Sequence, residues 1–465
     1  MGGTARPNDL SRHNRKRDPL RVVVKFFRQL GEPTTIVTRL QLTILTSLVI
    51  LIANIGSGIV LARALGPTGR GIFTAATLFG PLIGSVGGLG IAEALVYQSR
   101  RLGTARSAGL VTGLWIGAAQ SSILVFVGWV ILPELLRGPA RQAEPLALAY
   151  LAYIPLLFLT QYPLAILQGR LRLGEYNFVR ASVHVIYTGA LVVLWRVGAV
   201  SVGVAMAASL ASAGVMSALA IAAAAKFSGR QPSLAVAREL LGYGLRSHAG
   251  NLATIIVAQL DVLMLTAMVS SRDLGYYAVA TSAAMAGGLI PTAASLVLFP
   301  TVANQPTEAA PRALARFLLW GCGGALVFTP ILLLAVPWAV APVYGHAFRA
   351  AAPVSAILVP GYLLRGTNQM LVAILRGLGT PMLASTGQIV GLVVLAALLP
   401  IGISARGADG AAVAVTVSAA AAFSWLLTTA LRHGRLSPRQ VTAVWRSDLA
   451  SVVRALWKRD TLTQP

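Results

Sequence analysis

The chain has 465 residues, of which 56% are hydrophobic and only 11% are charged. Soluble domains usually carry about 25% charged residues, so this composition excludes an ordinary soluble protein. The net charge of +24 comes from 38 Lys and Arg against 14 Asp and Glu. Because the basic residues fall mainly in alternate loops, their charge indicates membrane topology and contact with anionic lipids rather than binding to nucleic acid.

A basic tail, residues 1–39, opens the chain and is predicted to be cytoplasmic. Arg21, Lys25 and Arg28 share one helical face, which suits a helix on an anionic membrane surface, although a disordered tail that only sets orientation explains the charges equally well. No small-residue cleavage site follows a short apolar core, so we expect the first apolar span to remain in the mature protein.

Apolar runs long enough to cross a hydrocarbon core of about 30 Å then recur along the chain. We predict twelve of them, with both termini in the cytoplasm. They lie at residues 40–62, 72–97, 108–131, 147–168, 182–198, 202–224, 248–270, 278–300, 317–340, 352–374, 382–404 and 410–431.

The spans divide into two halves, residues 40–225 and 248–431, joined by a polar cytoplasmic linker at 226–247. Residues 432–465 are predicted to form a cytoplasmic tail that contains an amphipathic helix, with Val441, Trp445 and Leu449 in its apolar stripe. Lipid headgroups are the expected partner of that helix, and a protein partner is the alternative.

Two short motifs occur once in each half. Gly71–Ala76 (GIFTAA) corresponds to Gly275–Ala280 (GYYAVA), 204 positions later, and Ile166–Gly169 (ILQG) corresponds to Ile374–Gly377 (ILRG), 208 positions later. The charge pattern gives both copies the same orientation in the membrane. We therefore predict a parallel repeat of two six-helix bundles around a central cavity, with substrate at the repeat interface.

Ionisable residues inside spans are the candidates for function, because a buried charge in a membrane is costly unless it is paired or used. Asp261 lies near the middle of the seventh span and could bind Na⁺ or a proton as the coupling ion. Arg365 in the tenth span could hold a phosphate group or form a static ion pair with Asp261. Glu93 could line the cavity or compensate the charge of the neighbouring cations Arg100 and Arg101.

Several further side chains are candidates for the cavity or its ends. Arg63 lies near the outer end of the first span, and His184 in the fifth span is interpreted as a hydrogen-bonded core residue. Polar amides can either join helices or line a sugar-binding cavity. Those in question include Asn54, Gln259 and Asn368.

Motifs for catalysis are absent from the sequence. There is no phosphate-binding glycine loop, no paired-histidine metal motif and no nucleophile elbow. Cys322 is the only cysteine, so neither an intrachain disulfide nor a cysteine-based metal site can form. We predict a transporter rather than an enzyme, with no catalytic residue, no metal site and no cofactor beyond a coupling Na⁺ or H⁺.

Two pairs of segments resemble the polysaccharide-biosynthesis flippases of the multidrug/oligosaccharidyl-lipid/polysaccharide exporter superfamily. They are Leu61–Phe73 (LARALGPTGRGIF) with Leu89–Leu95 (LGIAEAL), and Gln259–Leu265 (QLDVLML) with Leu274–Tyr277 (LGYY). The resemblance implies alternating access and export of an oligosaccharide carried on undecaprenyl pyrophosphate across the bacterial cytoplasmic membrane, together with polysaccharide-assembly proteins as further partners.

The same resemblance implies roles for individual residues. Asp261 would be the coupling-ion residue, while Arg365 and Arg63 would be the nearest matches to the cations that meet pyrophosphate in related lipid II flippases. Asn54 stands where a further basic residue would be expected, which argues against lipid II itself as the cargo. An ion-coupled multidrug or cation antiporter of the same superfamily is the main alternative. A membrane polymerase or ligase is disfavoured because the outer loops are short.

Overall fold

The computed structural model describes residues 36–101, 108–229, 231–303, 323–377 and 380–433, and within them the chain is organised as α-helices joined by short turns. The predicted all-α class is confirmed. The helices are α1 (Ile36–Val86), α2 (Ile91–Arg101), α3 (Gly109–Leu135), α4 (Glu144–Tyr150), α5 (Tyr153–Gly169), α6 (Leu173–Arg196), α7 (Val202–Ala224), α8 (Leu234–Met268), α9 (Ser271–Ala303), α10 (Gly323–Tyr344), α11 (Ala351–Gly377) and α12 (Pro381–His433).

Five stretches of the described chain are long and apolar enough to cross a membrane, or seven if each of two bent helix pairs forms one span. The chain is therefore a multi-pass membrane protein. The predicted N-terminal tail lies almost entirely outside the described residues, and so do most of the C-terminal tail and Cys322. The count of twelve spans and the domain boundaries stay predictions.

Two of the five stretches, Leu42–Val86 and Met382–Arg432, are too long for one crossing, and each contains a non-helical turn. Gly66 has φ +65° and Gly407 has φ +54°, a left-handed conformation that glycine adopts without strain. At the second turn a Cβ on Gly402 would lie 2.6 Å from the carbonyl oxygen of Gly410, which shows that the backbone reverses direction between them. Residues eight apart on a continuous helix would be about 12 Å apart along its axis.

The two copies of the glycine motif meet each other in the fold. A Cβ built on Gly71 would lie 1.6 Å from the carbonyl oxygen of Ser271, and one built on Gly275 would lie 1.9 Å from that of Pro67. In each case the glycine contacts the carbonyl four residues before its counterpart. Such reciprocal contacts are typical of a twofold relation between two surfaces. The parallel repeat itself stays a prediction.

The two halves also meet through the first part of α8, where residues 234–247 of the predicted polar linker form helix. Ser233 caps this helix by accepting a hydrogen bond from the Val236 amide at 3.4 Å. The ring of Tyr243 stacks on that of Tyr97 in α2 with centroids 4.6 Å apart. Gln98 donates to Glu239 at 3.2 Å, which further fixes α8 against the first half.

Candidate functional site

The principal cavity has a volume of about 1050 Å³ and lies within the first half of the chain. Both arms of α1 line it, together with α2, α4, α5, α6 and α7, and only Ser282 and Met285 of α9 come from the second half. This volume is at the top of the range of about 300–1,000 Å³ for small-molecule sites. The cavity can therefore hold a larger polar group than a typical metabolite.

One face of α6 supplies a polar stripe to this cavity. Tyr176, Arg180, His184 and Tyr187 all line it, and their spacings of four, four and three residues place them on the same side of the helix. The stripe spans about 16 Å at 1.5 Å per residue. The guanidinium of Arg180 lies 5.3 Å from the ring centroid of Tyr176, and it forms no ion pair with an acidic residue in the described part of the chain.

A second cation, Arg70, enters the cavity from α1 just after the turn at Gly66. Its guanidinium lies 5.6 Å from the ring centroid of Phe73 and interacts electrostatically with Tyr187 and Tyr344. The Nε atom of Arg70 and the hydroxyl of Tyr187 are both buried, and neither has a hydrogen-bond partner in the described structure. Buried polar atoms without partners are uncommon, and a ligand is one explanation for them.

Asn54 and Glu93, two of the predicted cavity residues, do line the cavity. The Oδ1 atom of Asn54 lies 2.9 Å from Nδ1 of His184, so α1 and α6 are joined by a side-chain hydrogen bond at mid-cavity. Glu93 is exposed to the cavity and interacts electrostatically with Tyr162. Arg70 and Arg180 thus face a single carboxylate among the described lining residues, which makes the lining basic.

Asp261 lies in the second half and is not among the residues that line this cavity. Its side chain is buried, with 2% of its surface exposed, and accepts hydrogen bonds from the Tyr277 hydroxyl at 2.7 Å and from the Val262 amide at 2.9 Å. The carboxylate is therefore held by α9 as well as by its own helix. Its use as a coupling-ion site stays a prediction.

Arg365 lies near Asp261, as the sequence suggested, but the two side chains form no direct ion pair in the described part of the chain. They interact electrostatically, and the Arg365 guanidinium lies 5.4 Å from the ring centroid of Tyr362. Its Nη2 atom is buried without a hydrogen-bond partner among the described residues. Arg365 is absent from the lining of the principal cavity.

The remaining predicted residues lie elsewhere. Arg63 donates from Nε to the carbonyl of Val343 at 2.8 Å and from Nη2 to that of Pro342 at 2.6 Å, so it binds the last turn of α10. Asn368 is 5% exposed and donates to the carbonyl of Ala419 at 3.1 Å, which joins α11 to α12. Gln259 is partly buried on α8 outside the cavity.

Sequence reasoning missed Arg70 and Arg180 as cavity residues. Arg70 falls between the first two predicted spans, residues 40–62 and 72–97, whereas the turn at Gly66 is so tight that helix resumes before Arg70. The periodicity of Tyr176, Arg180, His184 and Tyr187 was the available signal, since a polar stripe on an otherwise apolar span indicates a water-filled interior.

Comparison with known proteins gives a family and a fold. A family model described as polysaccharide biosynthesis protein matches residues 40–305, more than half of the chain. A comparison with curated proteins found no match. The structure resembles a lipid II flippase, MurJ, in an inward closed conformation, with a TM-score of 0.69 and 13% identity over 90% of this chain and 92% of that one.

Multidrug transporters share the same fold. The multidrug transporter DinF-BH of the MATE family, in complex with R6G, aligns with a TM-score of 0.59 and 17% identity over 89% of this chain and 97% of that one. An inward-facing multidrug resistance transporter of the MATE family and MOP superfamily aligns with a TM-score of 0.58 and 15% identity over 92% and 99%. At these identities the likeness establishes the fold. The family match establishes that the chain belongs to the polysaccharide biosynthesis protein family.

Proposed function

We propose that the chain exports an oligosaccharide linked to undecaprenyl pyrophosphate across the bacterial cytoplasmic membrane, by alternating access and without catalysis. The observation that carries this proposal is the basic lining of the large cavity in the first half. Arg70 and Arg180 face it without acidic partners, and Glu93 is its one carboxylate among the described lining residues. Arginine binds phosphate oxygens through two parallel hydrogen bonds, so such a cavity suits a pyrophosphate head group.

The sugar portion of the cargo also finds suitable contacts in this cavity. Gln161, Gln168, Thr160 and Ser209 line it and offer hydrogen-bond donors and acceptors, while Tyr150 and Tyr153 present stacked rings with centroids 5.4 Å apart. Aromatic faces and amides are the groups that a protein can offer to the apolar and polar faces of a sugar.

Coupling is assigned to Asp261. A carboxylate that is 2% exposed in a membrane protein is costly to keep charged, and a bound Na⁺ or proton removes that cost. Because Tyr277 on α9 donates to it, loss of its charge changes how strongly α8 and α9 attract each other. This is the kind of differential contact through which an ion can bias a conformational equilibrium.

An ion-coupled drug or cation antiporter is the second candidate, since MATE transporters share the fold and several tyrosines line the cavity. Aromatic faces attract organic cations. However, Arg70 and Arg180 repel them, and within a low-dielectric interior two such charges outweigh the single carboxylate of Glu93. The structure therefore favours an anionic cargo.

The test reconstitutes the full-length protein into proteoliposomes with two fluorescent probes, an undecaprenyl pyrophosphate-linked disaccharide and ethidium. We expect translocation of the lipid-linked sugar, driven by an imposed Na⁺ or proton gradient, and no transport of ethidium. Transport of ethidium alone would establish the antiporter instead. Elongation of the sugar by the protein would establish a polymerase, and movement of neither probe would refute both transport proposals.

A further inference from the structure

The two cavity arginines lie at different levels of the membrane. Arg70 follows Gly69, where an added Cβ would lie 3.8 Å from Cγ2 of Val202, and Val202 begins α7 just past the end of α6. Arg180 lies near the start of α6, and Tyr187, which also lines the cavity, is seven residues or about 10 Å of helix beyond it. The two arginines therefore enter the cavity at different levels along α6.

Each level has its own set of groups. At one level the buried Nε of Arg70 and the buried hydroxyl of Tyr187 have no partner in the described structure, so no protein acceptor uses either donor. At the other level Arg180 lies over Tyr176, and again no acidic residue pairs with it among those described. Between the two, His184 is fixed by its hydrogen bond to Asn54.

We propose that the cavity contains two successive binding positions for the diphosphate of the cargo, a first at Arg180 on the predicted cytoplasmic side and a second at Arg70 and Tyr187 on the predicted outer side. This inference rests on the proposed function. The diphosphate moves by one step of about 10 Å along α6, from one cation to the next. His184 lies beside that step, and its Nδ1 is occupied by the hydrogen bond to Asn54.

A cavity with two separate diphosphate positions should bind differently from a cavity with one position that both arginines share. If the ligand distributes itself between two separate positions, removal of one leaves the other, so affinity falls by no more than about threefold unless one position dominates. If both arginines hold one ligand together, each removal costs the full charge-assisted interaction, about ten- to hundredfold. Transport differs from binding because it needs both positions.

The experiment measures the binding and translocation of undecaprenyl pyrophosphate, without sugar, by the full-length protein in nanodiscs and in proteoliposomes. The variants are Arg70→Gln, Arg180→Gln and the double variant. Arg196→Gln is the matched control, because Arg196 lies on the same helix as Arg180 but is exposed and outside the cavity. Arg70→Lys and Arg180→Lys test whether a positive charge restores function without the planar guanidinium.

We expect each single variant to keep the affinity within about threefold and to lose translocation by more than tenfold, while the double variant loses affinity by about ten- to hundredfold. The control should match the wild type in both measurements. If both single variants lose affinity strongly and equally, and the double variant loses no more, the two arginines share one binding position and the inference is wrong. Unchanged affinity in the double variant would overturn the inference while leaving export possible. Failure of the wild type to bind the diphosphate lipid would overturn the proposed function as well.

Discussion

Replacement of Gly71 by alanine should prevent the two halves from closing at their glycine contact. The added Cβ would lie 1.6 Å from the carbonyl oxygen of Ser271 and 3.0 Å from the amide nitrogen of Gly275. Both neighbours are backbone atoms, so no side chain can rotate away to make room. The helices that carry them, α1 and α9, must separate instead.

The size of the effect follows from that geometry. Real Cβ atoms essentially never come closer than 3.0 Å to another heavy atom, so the Ser271 carbonyl must move by at least about 1.4 Å. Overpacking of a close contact typically costs about 1–3 kcal/mol, and backbone neighbours favour the upper part of that range. Since 1.4 kcal/mol is a factor of ten in an equilibrium constant, the closed state should become about ten- to hundredfold less populated relative to the open one.

Accessibility of the cavity from outside measures this population. Thr77 lines the cavity on the second arm of α1, so Thr77→Cys in a Cys322→Ala background provides a single reactive thiol. A membrane-impermeant thiol reagent added to right-side-out vesicles should label it faster when Gly71→Ala is present. Gly275→Ala should act alike, because its Cβ would lie 1.9 Å from the Pro67 carbonyl oxygen.

Gly214→Ala is the matched control. Gly214 lies within helix α7 of the same half and has open space where its Cβ would be. Alanine there should stabilise the helix by up to about 1 kcal/mol and leave labelling unchanged. If Gly71→Ala labels at the same rate as Gly214→Ala, then the contact at Gly71 does not control access to the cavity and the reasoning is wrong.

Three further substitutions test other parts of the structure. Asp261→Asn keeps an oxygen that accepts from Tyr277 but removes the charge, so transport should lose its dependence on the ion gradient while expression and thermal stability are retained. Glu134→Gln, at an exposed ion pair, is the control. Gradient-dependent transport by Asp261→Asn would show that this residue has no part in coupling. Glu175→Gln breaks ion pairs with Arg172 at 2.6 Å and Lys226 at 2.7 Å, where the carboxylate side chain is only 7% exposed. We therefore expect the melting temperature of the protein in detergent to fall by several degrees. An unchanged melting temperature would show that these ion pairs add nothing to stability. Arg63→Ala removes two hydrogen bonds to α10, so it should destabilise the fold by about 1–3 kcal/mol and leave the affinity for a diphosphate lipid unchanged. A loss of affinity without a loss of stability would show that Arg63 contacts the cargo.

The class of fold could be predicted from the sequence because hydropathy is a property of local segments. Apolar runs must become helices in a membrane, where each backbone amide needs an internal partner. The repeat stays a prediction, which rests on the motif that Gly71 and Gly275 share. Their direct contact could not be predicted, because a motif that recurs along the chain does not say which surfaces it brings together.

Assignment of the cavity was less successful for a physical reason. Burial cost identifies which charges are unusual, and it led correctly to Asp261 as a buried carboxylate. It does not say on which side of a helix the interior lies. Arg70 and Arg180 are close to span ends, where long side chains usually extend to the interface, so their position in the cavity depends on how neighbouring helices pack.

Helix α9 connects three features that otherwise lie apart. Gly275 forms the contact between the halves, Tyr277 donates to Asp261, and Ser282 lines the cavity. They fall within eight residues, about 11 Å of one helix, so a shift of α9 moves them together. If an ion neutralises Asp261, we expect its hydrogen bond with Tyr277 to weaken and α9 to shift more easily.

Tyr277→Phe tests this connection, because it removes the bond between α9 and the carboxylate without changing the charge of Asp261. A hydrogen bond to a charged group contributes about 1.5–3 kcal/mol, so the variant should release α9 even when no ion is bound. We expect labelling of Thr77→Cys from outside to become independent of the Na⁺ and proton concentrations and to stay at the fast rate. Labelling that still follows the ion concentration would mean that Asp261 acts on the contact at Gly275 by a route other than Tyr277.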